Sequence, residues 1–579
     1  MEGEGLRKSA QAMVWAGGVS ALALLIAGTA GPALAQDQTQ AAPDAQAPIA
    51  TQPQAPADAS ANPPPAAEPA AAAPPPADTS APATPAAATP DSGAALPVQD
   101  VNAPPPPAPT LTVAPPPAPV QAQALSPLDL FSTGRDTGLG QDVWKGSSAD
   151  IARAVIPGLA ARPLSPAGVA LAARILAQAA TAPDGAGSDA DLAAARARAL
   201  LAMGEAKLAE TILDHTPGLA DNALLSETAA EAALIQSEDA KACAIGDALG
   251  PGRDGLYWLK LRAYCQALAG KTGEAQLTLA LANPQARDPI YARLMGAVVN
   301  NTPPGAASVR NGLDLALSRH LNLDLSHAAA DAPAAIAPAL QATPAAAPPL
   351  LSESDVLGAL HAARTYPAFV AAAKSIQPGL AALVQAKTPL TDPVAEAAAA
   401  LAAGDLADAQ AIRAGLTGDA VPGAGPGDLP ILDAALAAAA GKPDAPTLDK
   451  LSELAAAEAR QPRPASPRLA APHPRTQAAA VIFAALGPDA SGADRAELFG
   501  LDLPRAEAPP ARLLALQVAA RRKLQGETAL IALSVAQAGG AAGPGPYDRA
   551  AIIDALSQAG LGADAQAFAV EGLVSLLIR

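Results

Sequence analysis

The sequence predicts an all-α protein carried behind an export signal and a long disordered arm. Three observations carry this prediction. Half of the 579 residues are hydrophobic, but alanine dominates that half and aromatics supply only 2%. Alanine has the highest helix propensity and loses no side-chain entropy, yet it buries little area, so any core is shallow and built helix against helix. Apolar residues recur at helical spacing while strand formers are sparse. Proline runs crowd one N-terminal stretch that has no means of forming a core. The net charge of −17 and pI near 4.7 argue against nucleic acid, which needs clustered cations to displace counterions. They also argue against an electrostatic grip on anionic lipid or acidic cell-wall polymers.

Residues 1–35 have the form of a signal peptide. Arg7 and Lys8 give a positive start, Met13 to Ala27 is an uncharged apolar run, and Ala33-Leu34-Ala35 is an A-x-A site, with cleavage expected between Ala35 and Gln36. The apolar run is short for a bilayer span. No cysteine lies directly after it, so lipid attachment of the lipoprotein kind is not expected. This alanine-, proline- and arginine-rich usage suits a Gram-negative bacterium, and the expected destination is the periplasm. An uncleaved signal holding the chain at the inner membrane is the alternative.

Residues 36–125 are the arm. Pro63-Pro64-Pro65, Pro74-Pro75-Pro76 and Pro104 to Pro107 prohibit helix and favour polyproline II. Fully extended at about 3.1 Å per residue, the arm could reach on the order of 250 Å. There is no Lys or Arg between Lys8 and Arg135.

Order is expected from about Ser126, with Leu128, Leu130 and Phe131 as a docking segment. Ser148 is placed to cap a helix through Ile151 and Val155 that Pro157 would stop. Ser165-Pro166 opens a second, through Val169, Ala172 and Leu176. Ser188 opens a third, with Leu192, Ala195, Ala199 and Met203 on one face. Trp258, Leu261, Cys265 and Leu268 fall three, four and three residues apart, a helix stripe over Tyr257–Ala269. The breaks at Asp331–Pro349, Gly418–Pro430, Gln461–Arg475 and Gly539–Pro546 divide the array. They place a helical lobe over 126–330, an Ala/Pro linker over 331–350 and a second lobe over 351–579. Two lobes, or one arc with a weak joint, both fit this pattern.

A short turn recurs between the helices: Met203-Gly-Glu-Ala206, Gln236-Ser-Glu-Asp-Ala240 and Gly270-Lys-Thr-Gly-Glu-Ala275, with anchoring alanines 34 and 35 residues apart. Later copies are Gly404 to Ala409, Gly526 to Ala529 and Gly562 to Ala565. Gly or a short polar residue ends one helix, and a small Ala lets the next pack close. A period near 34 with this turn resembles tetratricopeptide-like helix pairs over 188–300, and less fully over 392–579. The family's Trp/Leu/Gly/Tyr/Ala/Phe/Pro pattern is incomplete in every copy. The resemblance implies an α-solenoid with a groove for a protein or peptide.

The two cysteines, Cys243 and Cys265, fall on successive helices flanking Gly250-Pro251-Gly252. Folded as an antiparallel hairpin, they would lie within about one turn of the same height. In an exported chain they are expected to form one disulfide.

No catalytic constellation is legible. His320, Asp324 and His327 would share a face only in a continuous helix, and the alternation of Leu321, Leu323 and Leu325 speaks against one. Glu353-Ser354 matches the Glu-Ser pair of lytic transglycosylases, but the Tyr/Phe, Gly and Gln context that should follow is missing. No metal site, cofactor or enzymatic activity is expected. The expected role is an exported periplasmic scaffold mediating protein–protein interaction in the cell envelope. The alternative is an accessory subunit or enzyme of peptidoglycan metabolism. Tyr257, Trp258, Tyr264 and Tyr291 are the candidate partner-binding residues wherever they are exposed, and core residues otherwise.

Overall fold

A computed structural model describes residues 129–283, 287–341, 352–416, 421–460, 474–504 and 506–578. The expected signal peptide, its Ala35–Gln36 cleavage point and the 36–125 arm lie outside these residues. The described residues are helical, with no strand and only two isolated bridges, Arg135–Gln178 and Ser148–Asp184.

The first run comprises α1 (Ala149–Leu159), α2 (Pro166–Ala177), α3 (Ala190–Ala202), α4 (Ala206–Leu213), α5 (Ala223–Ile235), α6 (Asp239–Ala248), α7 (Leu256–Leu268), α8 (Thr272–Ala282), α9 (Pro289–Asn300) and α10 (Gly312–His320). Two short pieces follow, α11 (Ser326–Ala329) and α12 (Ala337–Gln341). The second run comprises α13 (Glu353–Ala362), α14 (Tyr366–Gln385), α15 (Pro393–Ala403), α16 (Leu406–Gly415), α17 (Asp428–Ala439) and α18 (Ala445–Ala459). It ends with α19 (Arg475–Ala484), α20 (Gly492–Phe499), α21 (Pro510–Arg521), α22 (Gln525–Ala536), α23 (Pro546–Gln558) and α24 (Gly562–Ser575).

Neighbouring helices pack as pairs: α3 with α4, α5 with α6, α7 with α8, α15 with α16, α21 with α22, and α23 with α24. One turn joins all six pairs. A residue with left-handed backbone (Gly204, Ser237, Gly270, Gly404, Lys523 or Gly560) follows the first helix. The next two N–H groups close a Schellman motif, as in Gly204 N to Leu201 O (3.0 Å) and Glu205 N to Leu200 O (3.0 Å). Five residues beyond the left-handed position comes a small side chain with no exposed surface: Ala209, Ala242, Ala275, Ala409, Thr528 and Ala565. This corrects the sequence register. The anchors are Ala209 and Ala242 rather than Ala206 and Ala240, and Thr528 rather than Ala529. The first three anchors are therefore 33 residues apart (209, 242, 275). A search keyed on glycine slips because Ser237 and Lys523 take the left-handed position in two turns.

Helix ends differ in detail from the sequence reading. Asp189, not Ser188, caps α3 by accepting the Leu192 N–H at 3.0 Å. The first helix runs past Pro157 to Leu159, and Ser148 makes no side-chain cap. Its N–H donates instead to Glu527 of α22 at 2.8 Å. That bond belongs to a seam between the beginning and end of the body. The Ala167 N–H at the start of α2 donates to Glu571 of α24 at 2.7 Å. Arg174 of α2 pairs with Asp564 at 2.6 Å. The Gly526 N–H donates to Val143 O at 2.9 Å, and Trp144 packs on Gly526 so closely that an added Cβ would meet its ring at 2.3 Å.

One hydrophobic core consequently runs from Phe131 to Leu577, with members mainly from α1–α4 and α13–α24, joined by Ala232 and Ile235 of α5 and Leu315 of α10. The large core has members on both sides of residues 331–341, and Ile336 within them belongs to it. Leu130 and Phe131 dock as expected, both buried. A smaller core lies among α5–α10, around Trp258, Tyr264, Tyr291 and Leu317. By length and composition α14 could cross a bilayer, with a mean hydropathy of 1.2, but it buries Phe369, Ala373, Ile376 and Leu380 in the large core.

Candidate functional site

The small core carries the residues singled out by sequence. Cys243 of α6 and Cys265 of α7 form the disulfide, with Cα atoms 5.6 Å apart. Helix α6 buries only Ala242, so hydrophobic contact alone holds it weakly and the bridge adds a covalent tie to α7.

Of the four candidate aromatics, three are core residues. Trp258, Tyr264 and Tyr291 are 4%, 0% and 1% exposed. Their spacing on α7 and α9 faces the neighbouring helices because α5, α8 and α10 surround them. Tyr291 donates its hydroxyl to Lys260 O at 2.8 Å, and the Lys260 ammonium lies 4.9 Å from its ring centroid. Lys260 and Arg310 converge on Asp288, the cap of α9, at 2.8 and 2.9 Å. Burial opposes the Asp288 charge, but hydrogen bonds from Lys260, the Tyr291 N–H and Arg310 pull its carboxyl down to about 2.

Tyr257 is half-buried, and its hydroxyl is enclosed beside Glu231 of α5. Glu231 accepts the Gly312 N–H at the start of α10 at 2.7 Å. Its other oxygen and the Tyr257 hydroxyl are both buried without a complete hydrogen bond. Burial lifts Glu231 to about 7 and, together with the Glu231 charge, holds Tyr257 well above its ordinary value. The Glu231–Gly312 bond ties α5 to α10, and the Tyr257 hydroxyl of α7 is enclosed beside it.

What the small core leaves outside is an apolar ridge on α8. Leu277 is 67% exposed and Leu281 is 57% exposed, one helical turn apart, while Ala275, Thr278 and Leu279 face inward. Leu268, at the end of α7, is also partly exposed. Sequence reasoning missed this ridge because α8 is apolar on both faces and periodicity alone does not say which face has a neighbour.

The chain matches no family model, no curated protein and no solved structure.

The other sequence candidates serve structure. Helix α10 ends at His320, and Asn322 turns the chain, so His320, Asp324 and His327 share no helix face. Glu353 begins α13 and accepts both the N–H and the hydroxyl of Thr391. A cavity of about 390 Å³ opens at the α2–α24 seam, lined by Tyr366, Leu401, Gln566 and Glu571 among others. Glu571 there is committed to Arg549 at 2.7 Å and to the Ala167 N–H. Glu571 thereby links the start of α2 to the α23–α24 pair.

Proposed function

We propose that this chain is an exported, periplasmic helical-repeat scaffold of the Gram-negative cell envelope, whose tetratricopeptide-like hairpins hold another protein or peptide. The observation that carries the reading is the α8 ridge. Two large apolar side chains stand more than half exposed, side by side, on a helix whose other face is packed, a feature that interaction faces share. Two features support it. The repeated Schellman hairpin gives the body the stacked-helix architecture on which binding faces are built. The Cys243–Cys265 bridge fits an oxidising compartment. Such a role needs no reaction centre, only a stiff surface, and the bridge stiffens the helix pair next to the ridge.

Site-specific photo-crosslinking in cells tests the proposal. A photoreactive residue replacing Leu277 is expected to give one discrete protein adduct in the periplasmic fraction, absent when the probe replaces exposed Gly358. Equal, diffuse labelling from both positions, or free thiols in a cytoplasmic fraction, would sink it.

A further inference from the structure

A second surface differs from α8 in charge. Among the described residues, helix α21 packs chiefly on α22 and α23, and most of its other side chains are exposed. It buries Leu516, Ala519 and Ala520. Leu514, Val518 and Arg521 follow one another at four and three residues along its outer side. Leu514 is 58% exposed and Val518 is 38% exposed. Arg521, Arg522 and Lys523 are all exposed at the end of the helix, and none has an ion-pair partner among the described residues.

The local charge is the reverse of the whole. Between Glu507 and Glu527 the chain carries Arg512, Arg521, Arg522 and Lys523 and no carboxylate. The acids on the packed neighbours are turned to other uses. Glu527 accepts the Ser148 N–H, Asp548 is buried on the Glu507 and Ala508 N–H groups, and Asp554 accepts from Gln558. Cations at a helix C-terminus are favoured by the macrodipole, which accounts for their position. It does not account for two aliphatic side chains standing in water on the same stripe.

We infer that the outer face of α21 docks on an anionic phospholipid bilayer, with Leu514 and Val518 entering the headgroup boundary and Arg521, Arg522 and Lys523 meeting lipid phosphates. Exposed aliphatic side chains can enter the headgroup boundary while cations beside them meet anionic lipid, at about 1 kcal/mol per Lys or Arg near the surface. The net charge of −17 does not prevent this. At physiological salt, charges beyond about 8 Å are largely screened, so the sign of the face that touches the bilayer decides. The inference stands apart from the scaffold reading, because it uses neither α8 nor the disulfide.

Vesicle flotation with the full chain tests it, using equal parts phosphatidylglycerol and phosphatidylcholine against phosphatidylcholine alone. Binding is expected only to the anionic vesicles and is expected to weaken as salt is raised. Arg521→Gln with Arg522→Gln should weaken it on the order of 30-fold, and Leu514→Ser with Val518→Ser should also weaken it. Leu277→Ser with Leu281→Ser on α8 should leave it unchanged. An apolar leader that bound lipid would do so in every variant and on both vesicle types, so the α21 variants isolate this face. Equal binding by the arginine variant, or equal binding to the neutral vesicles, overturns the inference. So does an absence of vesicle binding accompanied by a discrete adduct from a photoreactive residue at Leu514, either to an acidic protein or to a second copy of this chain.

Discussion

Removing the Cys243–Cys265 bridge by a double Cys→Ala substitution should loosen one helix rather than the whole molecule. The two residues are 22 apart in sequence, and closing a loop of that size removes about 3.4 kcal/mol of unfolded-state entropy in the chain model. Beyond the ion pairs of Lys241 with Glu210 and Asp214 and of Asp239 with Arg319, and the half-buried Ile245, little else holds α6. It buries a single alanine, Ala242, while its neighbour α7 buries Trp258, Leu259, Leu261, Ala263 and Tyr264. The lost energy should therefore appear as local opening of α6. By the factor of ten per 1.36 kcal/mol, amide protection there should fall by about 300-fold. Amides of α15 and α24, inside the large core, should keep their protection. Hydrogen exchange read by mass spectrometry, with the linked peptide verified without reduction, measures both regions in one experiment. Unchanged protection of α6 would refute the view that the bridge holds it. An equal fall in α15 and α24 would show that the bridge constrains only global unfolding.

Glu396 of α15 has no exposed surface, and both carboxylate oxygens lack a hydrogen bond. Burial, then the charges of Glu353 and Asp392, lift it from 4.5 to about 8. A raised acid pKa means that the folded state binds the extra proton, so stability is greatest at low pH and falls as pH rises towards about 8. Glu396→Gln should flatten urea-measured stability between about pH 5 and 8, where wild type loses up to about 1.4 kcal/mol per pH unit from this group; parallel pH curves would contradict the burial account. Asp288 behaves in the opposite sense, since its depressed carboxyl gives stability above its ordinary 3.8 that is lost as pH falls through about 2. Asp288→Asn should remove that acid-limb loss in the same titration. Arg549→Met strands the buried Glu571 carboxylate and should cost about 3–5 kcal/mol, read as a lower urea midpoint; a shift under about 1 kcal/mol would mean that the Arg549–Glu571 pair does not stabilise the packing of α23 on α24. Gly526→Ala forces a methyl into the Trp144 ring and should cost about 1–3 kcal/mol, seen as a change in Trp fluorescence and a lower melting temperature.

Much of the helical body was legible from composition and spacing. An alanine-rich chain with glycine and short polar residues between apolar stripes has few options other than paired helices, because alanine favours helix and offers too little area for another kind of core. Cys243 and Cys265 were legible as a pair because they are the only two cysteines, at matching heights on one hairpin. Leu130 and Phe131 were recognisable as the first apolar anchor after the proline-rich arm. The repeat register was only approximately legible, since Ser237 and Lys523 adopt a conformation for which sequence favours glycine.

Tertiary structure decided what each helix face meets. Tyr257, Trp258, Tyr264 and Tyr291 have side chains equally suited to a core or an interface, and only the placement of α5, α8 and α10 around them makes three of the four interior. Leu277, Leu281, Leu514 and Val518 are exposed for the converse reason, that among the described residues no helix lies beyond them. The seam between α1–α2 and α22–α24 joins residues some 380 to 400 positions apart, such as Ser148 with Glu527 and Ala167 with Glu571, and no local pattern encodes a contact over that distance. Helix formation is a property of neighbouring residues, which the sequence displays. Burial is a property of what the rest of the chain places alongside, which only the folded molecule settles.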